Sequence, residues 1–261
     1  MSNFDRSLKN KKIAFFDIDG TLALGHMPIP GAAEFVGELR RRGLETFVLT
    51  NNSSKSKVDY VKKMSGMGFE FSEKEIIIST DGLIAWFQQN GIDRAYILGT
   101  PGMAAQMRES GIAHEENSKV VAMGYDTTLN YEKMVRVAHL LQKGAEYYVT
   151  HPDLVCPDPE GPLPDAGSFI AMFEKATGRL PDKIFGKPSE AMIENALKSR
   201  GLAPHDAFMV GDRLYTDFQM CINARMDFIC VLSGEATAED IKKFGVNPAL
   251  VVQSVAHILE P

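Results

Sequence analysis

Short runs of β-branched and aromatic residues alternate with longer stretches of helical period along almost the whole chain, and few folds accommodate that pattern. Residues 13–17, 45–50, 76–79, 95–98, 120–124, 147–150, 183–185, 207–210, 228–232 and 250–252 read as strands. Between them, 31–42, 54–67, 82–90, 102–110, 131–143, 168–177, 189–200, 216–224 and 237–244 read as helices, with Ser53 or Ser54 expected to cap the second. Such alternation builds parallel sheets covered by helices on both faces. The strands are too many for one compact sheet in 261 residues, so the pattern predicts two α/β units, one inserted into the other. The turn-rich segment at 158–164 reads as a functional loop or a boundary.

Composition narrows the function classes. A hydrophobic fraction of 44% with 24% charged residues supplies a core, and a formal charge of −6 argues against nucleic acid as the main partner. The polar first twelve residues predict no secretory leader, and no apolar stretch predicts a membrane span. Cys156, Cys221 and Cys230 are odd in number and lack metal-ligand spacing, so reduced thiols and a cytoplasmic location are expected.

In open parallel sheets, ligands bind beyond the carboxyl ends of the strands, so polar residues that follow strands gather at one rim. Four predicted strands end this way: in Asp17-Ile18-Asp19-Gly20-Thr21, in Thr50-Asn51-Asn52-Ser53, in Gly186-Lys187-Pro188, and in Gly211-Asp212-Arg213-Leu214-Tyr215-Thr216-Asp217. Clustered carboxylates repel one another unless a hard cation holds them, and Mg²⁺ prefers such oxygen ligands. A carboxylate can attack phosphorus to give an aspartyl-phosphate, and a second acid two residues on can protonate the leaving oxygen. Lys187 adds positive charge, while Thr50 and the N–H groups after it offer hydrogen bonds to phosphate oxygens. This mixture suits phosphoryl transfer. A P-loop is rejected because Pro181 replaces its first glycine and Pro188 breaks the GK[ST] step, and no GxGxxG follows the first strand.

The four motifs in this order, DxDGTL, TNNS, GKP and GDRxxTD, resemble those of the haloacid dehalogenase superfamily. Their wording is most similar to its NagD-like, para-nitrophenylphosphatase-type branch, and HPDxxCPxxxGPxPDAGS at 151–168 looks like that branch's cap loop. The resemblance implies a Rossmann-like parallel-sheet core at 1–80 and 182–261, with an inserted α/β cap at 81–181. It implies Asp17 as nucleophile and Asp19 as general acid/base. Asp17, the Asp19 carbonyl and Asp212 would hold Mg²⁺, with Asp217 in the second rank or acting through water, and Thr50, Asn51 and Lys187 would bind phosphate. His151 and Asp153 are candidates for contact with the leaving group, a solvated loop being the competing reading. A small phosphorylated metabolite is the expected substrate, and the branch suggests a homodimer. Two other readings stay open: a signalling module that stores a phosphoryl group on aspartate, and a mutase that shuttles phosphate between sugar positions.

Overall fold

The computed structural model describes residues 8–158 and 160–260. The polar stretch at 1–7 and Pro159 of the turn-rich loop lie outside them. The strands, in chain order, are β1 (Ile13–Phe16), β2 (Ala23–Leu24), β3 (Met27–Pro28), β4 (Glu45–Thr50), β5 (Ile76–Ile78), β6 (Arg94–Leu98), β7 (Ala113–His114), β8 (Val120–Met123), β9 (Glu146–Val149), β10 (Val155–Cys156), β11 (Leu163–Pro164), β12 (Lys183–Ile184), β13 (Ala207–Gly211), β14 (Asp227–Val231) and β15 (Leu250–Val252). The fold is α/β, a Rossmann-like parallel-sheet core with an inserted α/β domain. Contacts divide the chain into one unit of residues 1–50, 60–77 and 187–261 and another of 51–59 and 78–186.

In the first unit a six-stranded sheet runs in the order β15-β14-β13-β1-β4-β5. β1 lies between β13 and β4 and pairs parallel with both, Ile13 meeting Ala207 on one side and Glu45 on the other. A strand covered on both faces has no polar side, which is why Ile13-Ala14-Phe15-Phe16 is apolar throughout and fully buried. On one face Phe15 and Phe47 pack with centroids 5.6 Å apart, in a cluster with Met209, Phe228 and the helix Ala191–Lys198. β1 is where the strand order turns back on itself, so the crevice beyond its carboxyl end is the natural ligand position.

The second unit holds a five-stranded sheet in the order β12-β9-β8-β6-β7, with parallel pairing throughout. Its residues alternate between two cores with the two-residue period of a strand. Tyr96, Leu98, Val121, Met123, Tyr147 and Val149 pack on one face, whereas Ala95, Ile97, Ala122 and Tyr148 pack on the other. Two antiparallel hairpins complete the strands, β2 with β3 and β10 with β11. The hairpins and β7 escaped the sequence reading.

Two expectations need correction. β12, the strand before Lys187, is not part of the core sheet: it pairs with β9 at the edge of the inserted sheet, Lys183 opposite Tyr148. Which sheet a short strand joins is a tertiary decision that its own residues do not record. The helix expected over 54–67 runs Lys57–Gly66, and Ser56 rather than Ser53 or Ser54 faces its first turn, accepting from Asp59 N at 3.2 Å.

Phe47 is 1% exposed, with the Arg200 guanidinium 4.8 Å from its ring centroid on top of the Phe15 contact. Phe47→Ala is therefore expected to destabilise the core unit by about 3–5 kcal/mol, read from its urea-unfolding transition.

Candidate active site

The site grows from the carboxyl ends of β1 and β13. Asp17 follows β1 directly, its N–H donating to the Val210 carbonyl at 3.0 Å and so continuing the ladder one step beyond the strand. The chain then turns sharply: the Ile18 carbonyl accepts from the N–H groups of Thr21, Leu22 and Ala23. Gly20 sits in this turn with φ 90°, and a Cβ there would lie 2.2 Å from Asp212 Oδ2. The glycine of the DxDGTL motif is thus required twice, for its backbone conformation and for the approach of a carboxylate.

Asp212 follows β13, and a wide turn over Leu214–Phe218 comes next, in which Phe218 N–H reaches back five residues to the Arg213 carbonyl. Insertions of this wide type concentrate at functional positions. Here the turn brings Asp217 back to its own beginning, with Arg213 N–H donating to Asp217 Oδ2 at 3.2 Å. Carboxylate oxygens of Asp17, Asp212 and Asp217 all lie within 4.8 Å of one another, and the three residues are buried.

Lys187 enters this cluster as its counter-charge. Its Nζ lies 2.5 Å from Asp17 Oδ1 and 2.6 Å from Asp217 Oδ1, and the residue is 2% exposed. Burial alone would lower an ammonium's pKa; the two carboxylates outweigh it and hold Lys187 above its ordinary value, hence charged. Burial together with Asp17 and Asp217 pushes Asp212 up to about 8, and burial with Asp17 opposing Lys187 leaves Asp217 at about 6. One lysine does not balance three buried acids. A compact set of oxygen donors with surplus negative charge fits a hard divalent cation.

Asp19 points elsewhere. Its carboxylate is outside the three-acid cluster and lies 3.5 Å from Lys63 Nζ, on the helix Lys57–Gly66. Burial raises its pKa, with Lys63 pulling the other way. A carboxyl held above its usual range can keep a proton to give away. Thr50, the last residue of β4, is 3% exposed in the same unit.

Asn51 belongs to the other unit, as do His151 and Asp153. Asn51 Nδ2 donates to Asp153 Oδ1 at 2.9 Å. The His151 ring is fully buried, with Nδ1 2.8 Å from Thr150 Oγ1 and Nε2 2.8 Å from Asp165 Oδ1. Asp165 in turn caps the helix Ala166–Thr177. Both ring nitrogens of His151 are engaged within the inserted unit, where the ring braces its loop. Asp153, 5% exposed, likewise braces Asn51 instead of lying in a solvated loop.

Sequence reasoning also missed the segment after β14. Glu235 N–H donates to Asp212 Oδ2 at 2.7 Å, and a Cβ on Gly234 would fall 1.9 Å from that same oxygen. Ser233 Oγ donates to the Gly20 carbonyl at 2.7 Å, tying this loop to the β1 turn. The rule that found the other motifs, polar residues just past a strand, applies equally to Ser233-Gly234-Glu235.

Buried acids and one lysine at the carboxyl rim of a parallel sheet define an enzyme built to handle phosphoryl groups. Comparison with known proteins agrees. Residues 14–113 match the haloacid dehalogenase-like hydrolase family and residues 184–258 match a second pattern, HAD-hydrolase-like. The chain is 32% identical over 244 residues to an acid sugar phosphatase of Staphylococcus haemolyticus, covering 92% of each protein. A 4-nitrophenylphosphatase from Thermotoga maritima has the same fold with TM-score 0.93 and 35% identity, over 98% of both chains. NagD from E. coli K-12 matches with TM-score 0.85 and 28% identity, over 95% of this chain and 98% of that one. The chain belongs to the haloacid dehalogenase-like hydrolases, in their NagD-like branch, and is a phosphomonoester hydrolase.

Two outcomes follow from the packing around Asp212. Gly234→Ala must displace the carboxylate and is expected to weaken divalent-cation binding by about 10–100-fold in a calorimetric titration. Asp212 and Asp217 also bind protons more tightly folded than unfolded. Their contribution to stability in metal-free protein is full below the ordinary aspartate range and is lost as pH rises through about 6 and about 8. The melting temperature of chelator-treated protein should fall between about pH 5 and about pH 8.5, and an added divalent cation should raise it more at the higher pH.

Proposed function

We propose that the protein hydrolyses small phosphomonoesters, of the sugar-phosphate class, through a covalent aspartyl-phosphate on Asp17 with Mg²⁺ as cofactor. The observation that carries this reading is the buried cluster of Asp17, Lys187, Asp212 and Asp217, with the carboxyl of Asp19 set apart from it. The sugar-phosphate class is suggested by the name of one relative, acid sugar phosphatase, and the name 4-nitrophenylphosphatase of another agrees with hydrolysis of a small phosphomonoester.

In the first step a carboxylate oxygen of Asp17 attacks phosphorus. The bond from phosphorus to the leaving oxygen breaks, and Asp19 gives that oxygen its proton. In the second step Asp19 takes a proton from water, the water oxygen attacks the same phosphorus, and the bond to Asp17 breaks. Inorganic phosphate leaves and both aspartates return to their starting state. Lys187 holds Asp17 and supplies positive charge to the phosphoryl oxygens, and the Thr50 hydroxyl and Asn51 bind those oxygens. Asp17, the Asp19 carbonyl and Asp212 would hold Mg²⁺ with Asp217 beside them, and the bound ion offsets the negative charge that otherwise keeps a phosphate from a carboxylate nucleophile.

A receiver-like store of phosphate lacks an acid placed for turnover, and a mutase would return its phosphoryl group to the sugar, so release of inorganic phosphate separates both from a hydrolase. Three cysteines without disulfides suit a cytoplasmic enzyme, and a homodimer is the oligomer that the branch suggests. No helix among the described residues is long and apolar enough to cross a membrane.

With Mg²⁺ and 4-nitrophenyl phosphate, the wild type should release phosphate, and Asp17→Asn should lose at least about 10³-fold in kcat. A variant as active as the wild type, or a wild type that releases no phosphate, rules the mechanism out. Asp19→Asn should slow turnover of a sugar phosphate by about 10²–10⁴-fold.

A further inference from the structure

Resting on the phosphatase reading above, we infer that Lys63 is a positioning residue for the reaction, holding the Asp19 carboxyl where it can pass its proton to the leaving oxygen. Lys63 Nζ lies 3.5 Å from Asp19 Oδ1, and the two side chains are 11% and 18% exposed. Both residues belong to the core unit. The helix that carries Lys63 is anchored by Tyr60, 2% exposed, and Met64, fully buried, on either side of it in sequence. The ammonium is thus delivered from a fixed support and reaches Asp19 from outside the cluster of Asp17, Asp212 and Asp217.

The backbone of Asp19 is tied down by the turn at 17–23, where Gly20 N–H donates to the Ala23 carbonyl at 2.8 Å. Its side chain still has two rotatable bonds, and proton transfer needs the carboxyl within about 2.6–3.2 Å of the receiving oxygen. A cation at one carboxylate oxygen restrains that rotation and leaves the second oxygen to face the substrate. Losing the restraint misplaces the acid, and a misplacement of about 1 Å costs about 100-fold.

Leaving-group chemistry distinguishes this role from a structural one. Nitrophenolate departs without a proton, whereas an alkoxide needs one. The ratio kcat/KM covers only the steps through departure of the alcohol, so later hydrolysis of the intermediate does not enter it. The experiment compares 4-nitrophenyl phosphate with benzyl phosphate, similar in shape but with a far more basic leaving group, using the full Mg²⁺-loaded chain. Lys63→Met should lower kcat/KM for benzyl phosphate by about 10–100-fold and for 4-nitrophenyl phosphate by less than about 3-fold. Lys63→Arg, which keeps the cation, should restore most of the benzyl phosphate activity. An equal loss on both substrates, no loss on either, or no rescue by arginine overturns the assignment. If the wild type hydrolyses both esters and Asp17→Asn neither, such a result removes the role of Lys63 alone. A wild type inert toward both esters removes the phosphatase reading and this inference together.

Discussion

The ion pairs of Lys187 with Asp17 and Asp217 are the interaction on which the core unit's rim depends. Moving an ion from water into a protein interior costs several kcal/mol, and attraction repays that cost only when geometry is close and further hydrogen bonds are made. Those conditions are met in detail. Arg213 N–H serves Asp217, Glu235 N–H serves Asp212, and the Thr21 hydroxyl lies 3.4 Å from Asp212 Oδ1. Glycines at 20, 211 and 234 let the backbone come closer to these carboxylates than any Cβ would allow. The arrangement nevertheless stays electrostatically unfinished, with more acids than bases. An incompletely neutralised site of this kind draws a cation and tolerates a phosphate.

The inserted unit follows the same βα grammar for another end. Its buried polar residues are arranged as a brace: Ser53 bonds to Thr150 Oγ1 and accepts from Tyr125 N–H, Thr150 meets His151, and His151 meets Asp165. Gly167 packs so close to this loop that a Cβ would come within 2.3 Å of the Pro152 carbonyl. Such a satisfied network keeps one loop geometry in place, because breaking any link leaves a buried polar group without its partner.

Much of the fold was legible from residues 13–252 because each long strand and helix carries its own period. The acids and the lysine were legible too, since a polar group just past a buried strand has little structural reason to be there. What escaped was whatever depends on a neighbour distant in sequence. Lys63 looks like any exposed helical lysine until the helix is placed, and the value of Gly234 appears only once Asp212 lies against it. β12 reads as a strand but does not name its sheet. His151 and Asp153 read as loop residues, facing either ligand or solvent, because their bonding partners, Asp165 and Asn51, are revealed only by tertiary structure.

The central strand of the core sheet pairs Ile13 with Ala207, across the whole of the inserted unit, whereas every pairing of the five-stranded sheet lies between residues 94 and 184. On a ribosome that emits the chain from its N-terminus, the insert has all its strands in hand while the core sheet still lacks β13. The core sheet is therefore the later to be completed, and its apolar β1 and β4 must wait through synthesis of the insert, a window in which chaperones have most to protect.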